Sequence, residues 1–204
     1  MFYEPKKGHS LPQNPFNALV FPRPIGWISS LSKKGIANLA PYSFFNAIAY
    51  EPPQVMFAAT DYHSNGGLKD SIANILDTKE FVVNLATKKL QQSVVHSSID
   101  APPGVDEFKL MKLKKRKSTM VQPPSVAESP ATLECKLIRK IDLKGKKINQ
   151  NIMIIGEVVG IHIKDAFISN GKVNSLAMRA ISRMGYTEYS EVKSRFLMDR
   201  PKYS

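Results

Sequence analysis

Residues 23–60 read RPIGWISSLSKKGIANLAPYSFFNAIAYEPPQVMFAAT. An apolar, β-branched run at 25–31 carries the pair Ser29-Ser30, and Ser32-Lys33-Lys34-Gly35 supplies turn chemistry after it. A second apolar run leads to the corner Ser43-Phe44-Phe45-Asn46. The double proline Pro52-Pro53 follows, then a third strand-like run at 54–60. Strand, turn, strand, polar-aromatic corner, Pro-Pro, strand builds a flat pocket where hydroxyls and an amide meet aromatic walls. Such a pocket suits a large planar ligand with a phosphate tail better than a metal or a peptide.

Working outward, residues 1–22 form an irregular arm broken by Pro5, Pro12, Pro15 and Pro22. DYHSNGG at 61–67 reads as a loop. Leu68, Ile72, Ile75 and Leu76 recur at helical spacing and predict a helix over 69–77. Residues 81–86 read as a buried strand and 88–98 as a second helix, ended by Ala101-Pro102-Pro103-Gly104. A short helix at 106–113 precedes a proline-rich crossing loop at 114–130. Residues 132–142 alternate as a strand with Leu133, Cys135, Leu137 and Ile141 on one side. A turn and loop at 144–150 leads into a long strand at 152–163, which Gly156 and Gly160 bend. Asn170-Gly171 marks a hairpin, and 176–181 is a short helix at most. Many short strands with few helices predict a mainly β protein, a Greek-key-like barrel with helical insertions. Regular βαβ alternation is missing, which argues against a dinucleotide-binding doubly wound sheet.

The 204 residues, 43% of them apolar, fit one domain spanning 1–204 with a sizeable core. No apolar run approaches ~18–20 residues, so no membrane helix is expected. No apolar leader opens the chain, and its one cysteine, Cys135, excludes an internal disulfide framework. A reducing cytoplasm is the simplest compartment. The net charge of +12 points to an anionic small ligand steered by a positive field, to nucleic acid, or to plain solubility. The densest basic stretch comprises Lys109, Lys112, Lys114, Lys115, Arg116 and Lys117. It reads as a solvated face or an anion-steering rim. The aromatics that nucleic-acid stacking needs are missing around it, apart from Phe108.

Self-contained side-chain chemistry has little to stand on. G-x-G-x-x-G, Walker A, H-E-x-x-H and G-x-S-x-G patterns are all missing. His9, His63, His96 and His162 lack ligand spacing. A cofactor that carries its own chemistry fits this pattern. These absences select no particular cofactor.

Ordered blocks along the chain carry a resemblance. Arg23-Pro24, Ser29-Ser30, Gly35, Asn38, Ala40-Pro41, Ser43, Phe45-Asn46 and Pro52-Pro53 form the first. Lys69-Asp70-Ser71 with Asn74-Ile75, and Glu80-Phe81-Val82-Val83-Asn84-Leu85, form the second. Asp106-Glu107-Phe108, Gly156-Glu157-Val158-Val159 and Arg183-Met184-Gly185-Tyr186 complete the series. Together they resemble the flavin reductase-like, FMN-binding split-barrel family. Ser71 stands where that family more often has Thr, and the 109–117 basic segment has no counterpart in its pattern.

The resemblance implies a split β-barrel with FMN, or alternatively FAD, as cofactor and NADH or NADPH as reductant. It also implies a homodimer with flavin near the subunit interface and a monooxygenase as a candidate partner. The cofactor-binding residues it implies are Ser29 and Ser30 on the ribityl or phosphate, Ser43 and Asn46 on flavin polar edges, and Lys69, Asp70 and Ser71 at a helix start that suits phosphate. Asp70 itself reads better as the helix N-cap. Arg183 and Tyr186 complete the set, and no side chain is assigned as catalytic. Two other readings stand beside a reductase: a non-enzymatic flavin-binding or storage protein of the same fold, and a basic nucleic-acid-binding β-barrel.

Overall fold

The computed structural model describes the chain except for residues 61, 65, 149 and 204, so the expected loops at 61–67 and 144–150 lie partly outside the described residues. Its strands are β1 (Arg23–Pro24), β2 (Gly26–Leu31), β3 (Ala37–Tyr42), β4 (Phe45–Tyr50), β5 (Pro53–Thr60), β6 (Glu80–Leu85) and β7 (Lys115–Arg116). They continue with β8 (Ser125–Val126), β9 (Ala131–Leu143), β10 (Asn151–Ile163), β11 (Ile168–Ser169), β12 (Lys172–Val173), β13 (Ile181–Arg183) and β14 (Tyr189–Glu191). The helices are α1 (Phe16–Leu19), α2 (Asp70–Thr78), α3 (Gln91–His96) and α4 (Glu107–Leu110).

A seven-stranded antiparallel sheet runs in the order β3-β2-β6-β9-β10-β5-β4. Its two edge strands are consecutive in sequence, separated only by Ser43 and Phe44. A flat sheet cannot place its opposite edges two residues apart, so it curls into a barrel. β3 and β4 share no ladder, and the seam between them stays open: this is a split β-barrel, mainly β as the sequence predicts.

Side-chain alternation on β2 feeds two cores. Ile28 points into the barrel with Phe57, Phe81, Cys135, Ile152 and Ile154, and Ile72 and Ile75 of α2 pack into the same cluster. Trp27 points outward into a second cluster with Leu39, Val94, Phe108, Val126 and Ile181, and its Nε1 donates to Ser97 Oγ at 2.9 Å. Full burial of side chains of this size contributes about 1.5–3 kcal/mol each.

Gly156 and Gly160 both sit at register shifts between β9 and β10. A Cβ on Gly156 would lie 2.4 Å from Phe81 Cζ, so the bend and the close approach of a core phenylalanine need the same missing side chain. This bulge corrects one expectation. Leu133, Cys135 and Leu137 do face the barrel core, but beyond the shift Ile141 pairs with Met153 and turns to the other face.

The crossing loop is fastened by buried polar groups. Asn84 Oδ1 accepts from Val126 N at 2.7 Å, Asn84 Nδ2 donates to Ser29 Oγ at 3.1 Å, and Ser29 Oγ donates to the Pro124 carbonyl at 2.6 Å. The Glu134 carboxylate accepts from the backbone N–H of Thr119 and Met120. Of the short helix expected at 176–181, residues 176–179 form turns, Ala180 bridges to Thr87 and Ile181 opens β13. The three-stranded sheet β1-β13-β14 then brings residues 181–183 back beside Arg23. No helix among the described residues is long and apolar enough to cross a membrane.

Candidate functional site

A cleft of about 490 Å³ opens at the barrel seam, within the range of small-ligand sites. Tyr42, Ser43 and Phe44, the chain that joins the two edge strands, form one wall. Lys69 stands beside them just ahead of α2, Arg183 enters from the end of β13, and Tyr186 from the turn after it. Gln13, Asn14 and Asn17 of the N-terminal arm line the cleft as well. Its lining holds three cations, Arg23, Lys69 and Arg183, and among the described residues no carboxylate. A smaller recess of about 110 Å³ adjoins it, sharing Pro41, Tyr42 and Lys69 and adding Asp70 and Ser71.

Of the residues singled out in the sequence, Ser43, Lys69, Arg183 and Tyr186 meet in the cleft, and Asp70 and Ser71 lie in the adjoining recess. Ser29 and Ser30 line neither; both are fully buried in the barrel wall. Ser30 Oγ accepts from Asn74 Nδ2 at 3.1 Å and donates to Asn38 Oδ1 at 3.4 Å. Asn46 sits exposed on edge strand β4, its Oδ1 accepting from Ala47 N at 2.9 Å. Asp70 is not the N-cap: Lys69 holds that position, and Asp70 is the first helical residue. Its Oδ2 accepts from Gly104 N at 3.2 Å, tying α2 to the Pro-Pro-Gly loop.

Arg23 was not among those candidates and is the hub of the cleft. It is buried, and its guanidinium donates to three backbone carbonyls: Asn17 at 2.6 Å, Val20 at 2.5 Å and Met184 at 2.9 Å. These bonds bind the N-terminal arm and the late turn together as one wall. Gly185 seats against Ala18 at the same junction, where a Cβ would lie 2.6 Å from that of Ala18. Burial lowers the Arg23 pKa, and the neighbouring charge of Arg183, its register partner across β1 and β13, lowers it further. Two cations held side by side leave a positive field in the cleft. The Arg-Pro pair at 23–24 was visible in the sequence, but its partners lie in segments whose proximity no local pattern reveals.

Behind the recess lies a buried polar network. Glu107 of α4 accepts from Asn38 Nδ2 at 3.1 Å and from Leu39 N at 2.9 Å. Asn38 Oδ1 in turn accepts from Ser71 Oγ at 2.6 Å. Burial pushes the Glu107 carboxyl above its usual range, against the pull of these donors. Burial likewise pushes the Tyr42 phenol up to about 12, against a hydrogen bond with Ser71. Cys135 is buried beside Glu134, and burial pushes its thiol up, making it an inert core group.

The basic run lies elsewhere. Lys115 pairs with Asp106 at 2.5 Å above the Phe108 ring, and Arg116 donates to Ser125 Oγ and Thr132 Oγ1. None of the six residues lines the cleft or its recess.

Comparison with known proteins gives the site a context. The sequence matches the Flavin reductase like domain over residues 18–177. An uncharacterised protein of Aquifex aeolicus is 38% identical over 172 residues, covering 84% of this chain and 85% of that protein. The structure is similar to nitrilotriacetate monooxygenase component B from Bacillus cereus, with a TM-score of 0.84 and 27% identity over 94% of this chain and 100% of that one. It is also similar to the 2-nitrobenzoate 2-nitroreductase of Pseudomonas fluorescens, with a TM-score of 0.80 and 28% identity over 91% of this chain and 88% of that one.

Proposed function

The chain belongs to the Flavin reductase like domain family, and from that premise we propose that it is an FMN-dependent oxidoreductase that takes hydride from NADH or NADPH. One observation carries the reading: a seam cleft that combines an aromatic wall, carboxamides and three cations with, among the described residues, no carboxylate. The donor set fits the group. Lys69, with Arg23 and Arg183, neutralises a phosphate tail. Tyr42 and Phe44 offer an apolar wall to a planar ring, while Ser43 and the amides of Gln13, Asn14 and Asn17 supply donors and acceptors for its polar edges. When bound, flavin supplies a ring that accepts hydride at N5. The protein's own part is to bind, orient and shield. The same reading carries FAD as the alternative flavin and a cytoplasmic homodimer.

Titration with FMN should quench flavin fluorescence, and the loaded protein should oxidise NADH or NADPH in the presence of excess FMN. Absence of FMN binding at high micromolar concentration would overturn the proposal. Binding without nicotinamide oxidation would transfer the protein to flavin storage.

A further inference from the structure

A cleft of about 630 Å³, larger than the one at the seam, shares no lining residue with it. Phe167 and the buried Met178 form its apolar surface, and Lys88, Lys89, Lys164 and Arg179 bring four cations. Two of these are already engaged. Arg179 donates through Nε to Glu191, and Lys88 Nζ donates to Gln91 Oε1 at 2.7 Å. Lys89 and Lys164 form no salt bridge among the described residues. Lys164 Nζ donates only to the Glu128 backbone carbonyl, at 3.0 Å. Burial lowers the Lys164 pKa, the charges of Arg116 and Lys89 lower it further, and Glu128 opposes them.

The same cleft holds an unmet acceptor. Glu128 Oε1 accepts from Lys114 N at 3.2 Å, but Glu128 Oε2 is buried with no hydrogen-bond partner among the described residues. A buried carboxylate oxygen without a donor is costly. Here it lines one cavity with Lys89 and Lys164, neither of which forms a salt bridge among the described residues. At the rim, Arg179 adopts a left-handed backbone, φ 52°, a conformation that side chains other than glycine hold only where surrounding structure enforces it.

We propose that this cleft is a second binding site, for a small organic acid. Its carboxylate pairs with Lys164 and Lys89, an O–H or N–H on the same molecule donates to Glu128 Oε2, and its apolar body lies on Phe167 and Met178. One molecule with an anionic end and a donor group satisfies the lysines and Glu128 Oε2 together, and the apolar wall suits a hydrocarbon or aromatic frame. The site stands apart from the flavin reading, because the two clefts share no residue.

The probe is 4-hydroxybenzoate, titrated calorimetrically into the full chain with and without saturating FMN. Expected is saturable binding that FMN does not displace. The uncharged analogue 4-hydroxybenzamide, Lys164→Gln and Lys89→Gln should each weaken it roughly tenfold, the scale of one charged hydrogen bond, while FMN affinity stays unchanged. Circular dichroism checks the variants. If Lys164→Gln fails to fold, Lys89→Gln at its exposed position decides. Three results would each overturn the proposal: no binding at millimolar probe, displacement by FMN, or lysine variants that bind the probe as wild type does.

Discussion

Lys69 stands where the seam cleft meets its recess, ahead of a helix whose first residue is committed to a distant loop. Lys69→Ala should therefore weaken FMN by about 1–3 kcal/mol, the scale of one charged hydrogen bond, and weaken riboflavin much less. Equal losses for both ligands, read by fluorescence titration, would move Lys69 away from the phosphate. Glu107 supplies a pH prediction. Its folded pKa is raised above the ordinary value of 4.5, so the stability held by the neutral carboxyl is fully present below 4.5 and is lost as pH rises through the raised pKa. Urea denaturation across that window should show wild type losing stability with pH relative to Glu107→Gln; parallel curves would show that the carboxyl is not perturbed. At this scale the sequence conveys chemistry better than address. Ser43, Lys69, Arg183 and Tyr186 converge on one cleft. Ser29 and Ser30 have the same hydroxyls but find partners in the Pro124 carbonyl and in Asn38 and Asn74. Nothing near a serine in the chain announces that a carbonyl some ninety-five residues later will fold onto it.

Periodicity carries the elements. The helix expected at 69–77 is α2 at Asp70–Thr78, and the hairpin at Asn170-Gly171 forms with both residues left-handed, φ 51° and 69°. What escapes is register: a bulge adds one residue to a ladder and reverses every face beyond it, so Ile141 lands opposite to its alternation. The glycine that sits at that bulge gives a direct test. Gly156→Ala places a methyl on the Phe81 ring and should cost roughly 1–3 kcal/mol, the range of core overpacking. Phe81→Leu should recover part of that loss in the double variant, giving a coupling term. Additive losses in thermal denaturation would show that the ring is not the obstacle.

Across the whole molecule, the net charge of +12 is distributed unevenly in what it does. In the 109–117 run Lys115 pairs with Asp106 and Arg116 with Ser125 and Thr132, away from the seam cleft, which keeps three cations and, among the described residues, no carboxylate. FMN should therefore associate fast at low salt and more slowly as the Debye length shrinks to ~8 Å at physiological ionic strength, while riboflavin shows little salt dependence. Stopped-flow rates for FMN that ignore salt would remove electrostatic guidance from the account. The barrel closure that makes this cleft also binds the protein's history. Gly156 and Phe81 lie on different strands, yet one occupies the volume the other leaves vacant. A lineage that enlarges position 156 first passes through a poorly folding ancestor, whereas one that trims position 81 first does not meet the clash, so the order of the two mutations decides which path evolution can take.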